Sequence, residues 1–300
     1  MNKMVLVNID LHQADNGFIY KAAQIAQDTG ASLELFCSCF NPALHNAYPF
    51  DEQAEHEGQR GYLHKVEAAL EKIINQFGLP VTHEVRLQKH LKPVTTLDVD
   101  RSGARMASGS LDYLCRIFDF HGMKEDSRNA FREIEPHEDH GVVEVSYSPS
   151  GSQLLVATGS AQPRVFDRDG HEVMVFRKGN YNLSDMVRTK GHVSAVTSAH
   201  WHPSDANTMI TSSTDGTVRT WDLRGKTHFE QLLCWQVIKA RSKQGRRVGV
   251  TRCRYGQNGK CIIAGCQDGS LQLWRQKTRY GLPDMVVRDA HGAGNEVTGL

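Results

Sequence analysis

The spacing of apolar residues changes along the chain near Gln88. Before it, the short apolar run Met4–Ile9 is followed by apolar positions three and four residues apart, and this order repeats. Such a run predicts a buried parallel strand, and the three-and-four spacing predicts an amphipathic helix. The pattern therefore predicts strands at 4–9, 32–40 and 81–87 with helices between them, a βαβαβ half of a doubly wound sheet.

From residue 89 onward, apolar and polar residues alternate as in half-buried strands. Four segments end on an aromatic residue in the same local context, at Phe118, Phe166, Trp221 and Trp274, which are 48, 55 and 53 residues apart. Turn signals such as the one at 148–151 recur upstream of each. This repeated pattern resembles WD40 β-propeller blades of four strands each. The residues beyond the length of a compact WD40 repeat are expected in loops between the blades.

The predicted fold is therefore mixed, with an N-terminal α/β half-domain at 1–88 and all-β WD40 propeller blades at 89–300. The array comprises four blades and the beginning of a fifth near Ala290, which is an incomplete ring. We expect both units to be partial, and one hypothesis is that the chain is a chimera, a fusion of unrelated fragments.

Charge supports a division into two units of different kind. The whole chain has a formal net charge of +1, but residues 1–88 carry 6 basic and 11 acidic residues, and residues 89–300 carry 29 and 23. The seven Cys residues form no CxxC pair, which favours reduced thiols in the cytosol or nucleus. No apolar run approaches the roughly 20 residues of a membrane-spanning helix, and the N-terminus reads as a strand and not as a signal peptide.

The first unit resembles the universal stress protein family and, in its residue pattern, the E-type members of that family. The resemblance covers about residues 1–87 and rests on the MVLVNID opening, the helix after it and SLELFCSCFNP. It implies an acidic nucleotide-binding residue at the end of the first strand, which is Asp10 here. The family's glycine-rich phosphate loop has no counterpart in this chain, and the alternative is that Asp10 is a strand-end carboxylate without a ligand.

The third repeat has the most complete WD40 signature. His192, Thr211, Asp215 and Trp221 occupy the positions of a buried hydrogen-bond chain in which Asp accepts from His, His meets the hydroxyl, and the hydroxyl meets the indole N–H. We expect these four residues to be structural and not catalytic. The other blades lack one or more of them: Phe118 replaces Trp in the first, and Ala264 replaces the hydroxyl in the fourth.

The segments between the blades narrow the resemblance further. GARMASGSLDYLCRIFDFHGM, DMVRTKGHVSAV, WHPSDANTMITSSTDGTVRTWDL and CIIAGCQDGSLQLW look like the WD repeat-containing protein 70 family, the gastrulation-defective family. The resemblance implies a nuclear propeller scaffold connected with genome maintenance. Trp221, Asp222 and Arg224 also fit the WDxR box of substrate receptors of the cullin-4 ubiquitin ligase, in which Arg meets an acidic adaptor surface. The alternative is a chance match, since WDxR arises often in WD40 chains.

A run of basic residues without an acid is a second candidate binding site: Lys239, Arg241, Lys243, Arg246, Arg247, Arg252 and Arg254. It could attract the phosphate backbone of a nucleic acid or an acidic protein partner. The alternative is a solvated loop between the third and fourth blades.

Enzyme signatures are absent from the sequence, which has no GxSxG, HExxH, Walker loop or GxGxxG after a strand. His137 and His140 are three residues apart, but they lack further ligands, so a solvated loop is favoured over a metal site. We therefore expect a non-enzymatic WD40 protein-interaction scaffold with no cofactor and no metal. The alternatives are a stress-response protein with impaired nucleotide binding and a fusion without a function of its own.

Overall fold

The computed structural model describes residues 4–9 and 32–37, and residues 90–299 except 121, 123–128, 184, 226, 229–230, 276–280 and 291–294. The chain divides into two compact units, Met1–Pro93 and Val94–Leu300. This boundary lies five residues beyond Gln88, where the spacing of apolar residues along the sequence changes.

The described part of the first unit has two parallel strands, β1 at Met4–Ile9 and β2 at Ser32–Cys37. Met4 pairs with Ser32 and Ile9 with Cys37, so the register is continuous over both strands. Both strands lie where apolar runs predict them. The predicted helices, the third strand and Asp10 lie outside the described residues, so the α/β half-domain and a nucleotide site at Asp10 stay predictions.

The described residues of the second unit form four sheets, which we call blades 1 to 4, and the main strands of each blade pair in antiparallel order. Blade 1 comprises β3 (Val94–Val99), β4 (Arg105–Ser110), β5 (Cys115–Asp119) and β6 (Arg132–Ile134). Blade 2 begins with β7 (Val142–Tyr147), β8 (Gln153–Thr158), β9 (Arg164–Asp167) and β10 (Glu172–Phe176).

Blades 3 and 4 follow the same order. Blade 3 comprises β11 (Val196–Trp201), β12 (Thr208–Ser213), β13 (Thr217–Asp222) and β16 (Gln236–Lys239). Blade 4 comprises β17 (Val250–Tyr255), β18 (Cys261–Cys266), β19 (Leu271–Arg275) and β20 (Met285–Val287), with a single 3₁₀ turn at Gln257–Gly259.

A short strand pair joins blade 3 to blade 2. After β13, the chain forms β14 (Thr227–His228) and β15 (Gln231–Leu232), and β15 pairs in parallel with the edge strand β10 of blade 2. Leu232 is fully buried there, in the apolar core that blades 2 and 3 share. The pair covers backbone groups that an edge strand would otherwise expose.

Neighbouring blades pack face to face around three apolar cores. The first strand of each blade contacts the first strand of the next one, β3 with β7, β7 with β11 and β11 with β17. In blades 1 to 3, the second strand is buried along nearly its whole length. This burial explains why these strands read as runs of small and apolar residues and not as strict alternation.

A β-bulge recurs near the start of the first strand in every blade. The bulged residue is Thr95, Thr197 or Thr251 in three blades, and its hydroxyl donates to a backbone carbonyl at the start of the next blade: Val142, Val250 or Val297. Blade 2 has Val143 at this position and so lacks the bond. Val297 is fully buried, so residues 295–299 lie on blade 4 as each first strand lies on the preceding blade.

Candidate functional site

The polar chain of blade 3 links two strands and the segment before β11. Trp221 Nε1 donates to Thr211 Oγ1 at 2.8 Å, and Thr211 Oγ1 lies 2.8 Å from His192 Nε2. His192 Nδ1 lies 2.9 Å from Asp215 Oδ2. Burial lowers the pKa of His192, so the neutral imidazole carries its proton on Nδ1 and accepts the Thr211 hydroxyl at Nε2.

Asp215 anchors this chain in the turn between β12 and β13. Burial alone would raise the pKa of Asp215, but hydrogen bonds from His192, from the Thr217 hydroxyl and from the Val193 backbone N–H hold it below its usual range. All of these bonds lie inside the protein, because His192 and Trp221 are fully buried. The arrangement holds a blade together and leaves no group for a substrate.

Blade 1 uses different partners at the same positions. Its turn residue Asp112 pairs with Arg116 at 3.1 Å, and Arg116 also bonds to Glu133 at 2.9 Å. The equivalent of Arg116 in blade 3 is Arg219, which is fully buried and donates to the backbone carbonyls of Met186 and Thr189. The sequence analysis missed Arg219, although its place two residues before the aromatic position gives a signal.

The WDxR residues separate into a buried and an exposed part. The side chain of Trp221 is fully buried in the polar chain, and its assignment as an adaptor-contacting residue stays a prediction. Arg224, by contrast, is 59% exposed and lies beside two carboxylates. Its Nε donates to Asp222 Oδ1 at 2.9 Å, and its Nη2 donates to Asp222 Oδ2 at 3.1 Å and to Asp205 Oδ2 at 2.9 Å.

The basic run 239–254 is not one solvated loop, so the alternative interpretation given for this segment is corrected. Lys239 ends β16 and bonds to Asp185 at 3.0 Å. Arg241 and Arg247 form a β-bridge across a turn that contains Lys243 and Arg246, both of which are exposed. The last two residues, Arg252 and Arg254, lie on β17.

Arg252 and Arg254 belong to a cluster of charged side chains on the first strands of the blades. Arg252 Nη1 donates to Glu144 Oε2 of blade 2 at 2.9 Å, and His200 Nε2 of blade 3 lies 3.7 Å from the same oxygen. Burial raises the pKa of Glu144, and Arg252 and Arg254 oppose that rise. In blade 1, burial raises the pKa of Asp98 to about 6 despite a hydrogen bond from the Tyr147 backbone N–H.

The remaining candidates show no ligand chemistry in the described part of the chain. His137 and His140 stack edge to face with ring centroids 4.6 Å apart, and no group of three or more His, Cys, Asp or Glu residues there could hold a metal ion. The five cysteines of the second unit are free thiols, and burial raises the pKa of Cys115, Cys253 and Cys266 to about 12. Within the same residues, no helix has the length and apolarity needed to cross a bilayer.

Comparison with known proteins agrees with this architecture. Residues 82–119, 184–222 and 239–275 match the family model described as WD domain, G-beta repeat. Blade 2 lies between the first two of these segments. The strand order and the buried chain of blade 3 are therefore those of WD40 repeats.

Longer matches connect the chain to a particular group of WD40 proteins. It is 42% identical over 222 residues to Gastrulation defective protein 1 homolog of Drosophila melanogaster. It is 44% identical over 221 residues to WD repeat-containing protein 70 of Xenopus tropicalis, and 38% identical over 220 residues to that of Homo sapiens. These matches cover 73–74% of the chain and 33–34% of each relative, so the chain spans about a third of their length. The chain thus contains WD40 repeats and is similar over about three quarters of its length to WD repeat-containing protein 70.

Proposed function

We propose that the chain is a nuclear WD40 scaffold that acts as a substrate receptor of a cullin-4 ubiquitin ligase in genome maintenance. The interaction role itself follows from the WD40 repeats, which mediate protein contacts. The docking of the ligase adaptor is carried by one observation, which is that Arg224 is exposed and yet held in a fixed orientation by Asp222 and Asp205.

The fixed orientation favours binding because little side-chain freedom is left to lose when a partner arrives. Nε and Nη2 are engaged by the two carboxylates, while Nη1 donates to none of the described residues. Two N–H groups of a planar, permanently charged guanidinium are thereby available for a carboxylate of an acidic adaptor surface. The bond with Asp222 and the charges of both carboxylates raise the pKa of Arg224, so the charge persists at any physiological pH.

A pull-down of the purified cullin-4 adaptor with the full chain tests this proposal. We expect Arg224→Ala to abolish capture and Arg188→Ala to leave it unchanged. Arg188 is a suitable control because its side chain is 81% exposed. Unchanged capture by Arg224→Ala, with a far-UV circular dichroism spectrum like that of the unmodified chain, would reject Arg224 as the contact.

The nuclear location is tested separately. We expect the fluorescently tagged full chain to accumulate in the nucleus of eukaryotic cells, as the resemblance to WD repeat-containing protein 70 implies. An even distribution between nucleus and cytoplasm would contradict this part of the proposal.

A further inference from the structure

An open groove lies at the end of blade 3 where β13 begins. Its volume is about 570 Å³. It is bounded by the segment before β11, by the turn between β12 and β13, and by the segment that follows β16: Tyr181, Leu183, Asp185, Met186, Val193, Ser194, Thr214, Asp215, Lys239, Arg241 and Arg247. Arg224 follows the other end of β13, so the groove and the proposed adaptor contact lie at opposite ends of one strand.

One side of this groove is basic, and its charge is only partly balanced. Lys239 is paired with Asp185. Arg241 Nη1 donates to the backbone carbonyl of Gly245 at 3.0 Å, and neither Arg241 nor Arg247 forms an ion pair with a carboxylate of the described residues. These two arginines face each other directly across a β-bridge. Like charges in that position repel each other, and an anion bound between them would remove the repulsion.

The segment before β11 contributes apolar side chains to the groove. Tyr181 is 80% exposed and Leu183 is 36% exposed, and Met186 and Val193 complete this set. A groove with both apolar and basic side chains fits a peptide that carries an apolar side chain next to carboxylates. It fits a nucleic acid strand less well, because Tyr181 is the one aromatic residue among the described lining residues on which a base could stack.

We propose that this groove binds an acidic segment of a partner protein, with an apolar side chain against Tyr181 and Leu183 and carboxylates against Arg241 and Arg247. The proposal deepens the scaffold role proposed above and rests on it, but it does not depend on the adaptor contact. In the assembled receptor, the groove would hold a substrate while the opposite end of blade 3 holds the ligase.

Fluorescence anisotropy with the full chain tests the groove. The probe is a short fluorescein-labelled peptide with one leucine between two pairs of aspartates. We expect Arg247→Gln and Tyr181→Ala each to weaken its binding about tenfold, and higher salt to weaken binding to the unmodified chain. The matched control is Arg246→Gln, which removes the same charge from a neighbouring exposed residue that does not line the groove.

Four comparisons decide the outcome. Replacement of the leucine by glycine, or of the aspartates by asparagines, should abolish binding of the peptide. Equal binding to Arg247→Gln and Arg246→Gln would overturn the proposal, and so would tighter binding of a single-stranded oligonucleotide than of the peptide. Arg224→Ala should bind the peptide normally, so a failure of the groove is distinguishable from a failure of the adaptor contact.

Discussion

Thr211 and Thr220 provide a paired test of the buried hydrogen-bond chain in blade 3. They lie on neighbouring strands, β12 and β13, and are 0% and 4% exposed. The Thr211 hydroxyl connects Trp221 Nε1 with His192 Nε2. The Thr220 hydroxyl is buried without a hydrogen-bond partner among the described residues. A change from Thr to Val therefore removes a hydrogen-bonded hydroxyl at Thr211 and a hydroxyl without a hydrogen bond at Thr220.

The expected losses follow from the number of polar atoms left without a partner. Thr211→Val leaves two, the indole N–H and the imidazole Nε2, at about 1–3 kcal/mol each, so we expect the free energy of unfolding to fall by about 2–6 kcal/mol. Thr220→Val removes a hydroxyl that loses its water on folding without gaining a bond. We therefore expect no loss, and a gain of up to about 1 kcal/mol.

Urea unfolding of the full chain, followed by far-UV circular dichroism, measures both changes. A shift of the midpoint at constant slope reports stability, and an equal slope in both variants is the control that the same surface is exposed on unfolding. Equal losses in Thr211→Val and Thr220→Val would refute the reasoning. The cost would then come from the packing of Val on these strands and not from the hydrogen-bond chain.

Three further changes test other parts of the second unit. Val143→Thr should supply the inter-blade hydrogen bond that blade 2 lacks and stabilise the chain by up to about 1 kcal/mol in urea unfolding; an unchanged midpoint would contradict it. Gly216→Ala should lower the thermal midpoint by several degrees more than Gly245→Ala. Both glycines have φ above +70°, so the backbone strain of an alanine is similar at the two positions. A Cβ at Gly216 would lie 2.4 Å from Cγ of a neighbouring arginine and 2.8 Å from a backbone carbonyl oxygen, whereas at Gly245 nothing lies within 4 Å. His200→Gln should flatten the loss of stability between pH 6.5 and 4, because burial and two nearby arginines lower the pKa of His200 to about 3. The unfolded chain therefore takes up a proton in this range that the folded chain does not, at about 1.4 kcal/mol per pH unit; equal slopes in both proteins would contradict the assignment.

The features that local sequence determines were predictable. The alternating runs before residues 100 and 148 became β3 and β7. The turns after them are closed by hydrogen bonds from Gly103 to Asp100 and from Gly151 to Ser148. Both glycines have positive φ, which is why a glycine stands there. Each of these elements depends on residues within one hairpin, so the pattern of a single stretch contains the needed information.

The charged cluster and the groove were not predictable in the same way. Glu144 and Arg252 are 108 residues apart, and their side chains meet because β11 of blade 3 contacts both β7 of blade 2 and β17 of blade 4. Arg252 and Arg241 are close in sequence but lie in different environments, because β17 begins between them. A run of like charges therefore indicated a single patch, whereas the strand boundary divides it. Asp10 and the universal-stress-protein resemblance stay predictions.

The strand pair β14–β15 links blades 2 and 3 into one structural unit of this array. Repeat arrays are usually treated as sums of units, each of which contacts only its neighbours. Here the chain completes the edge of blade 2 at Leu232 before it returns to blade 3 as β16. Blades 2 and 3 should therefore open together as one foldon, with common hydrogen-exchange rates along β10 and β13. Transplanting blade 3 alone would remove the cover of its neighbour's edge, so the smallest transferable piece is the two-blade unit.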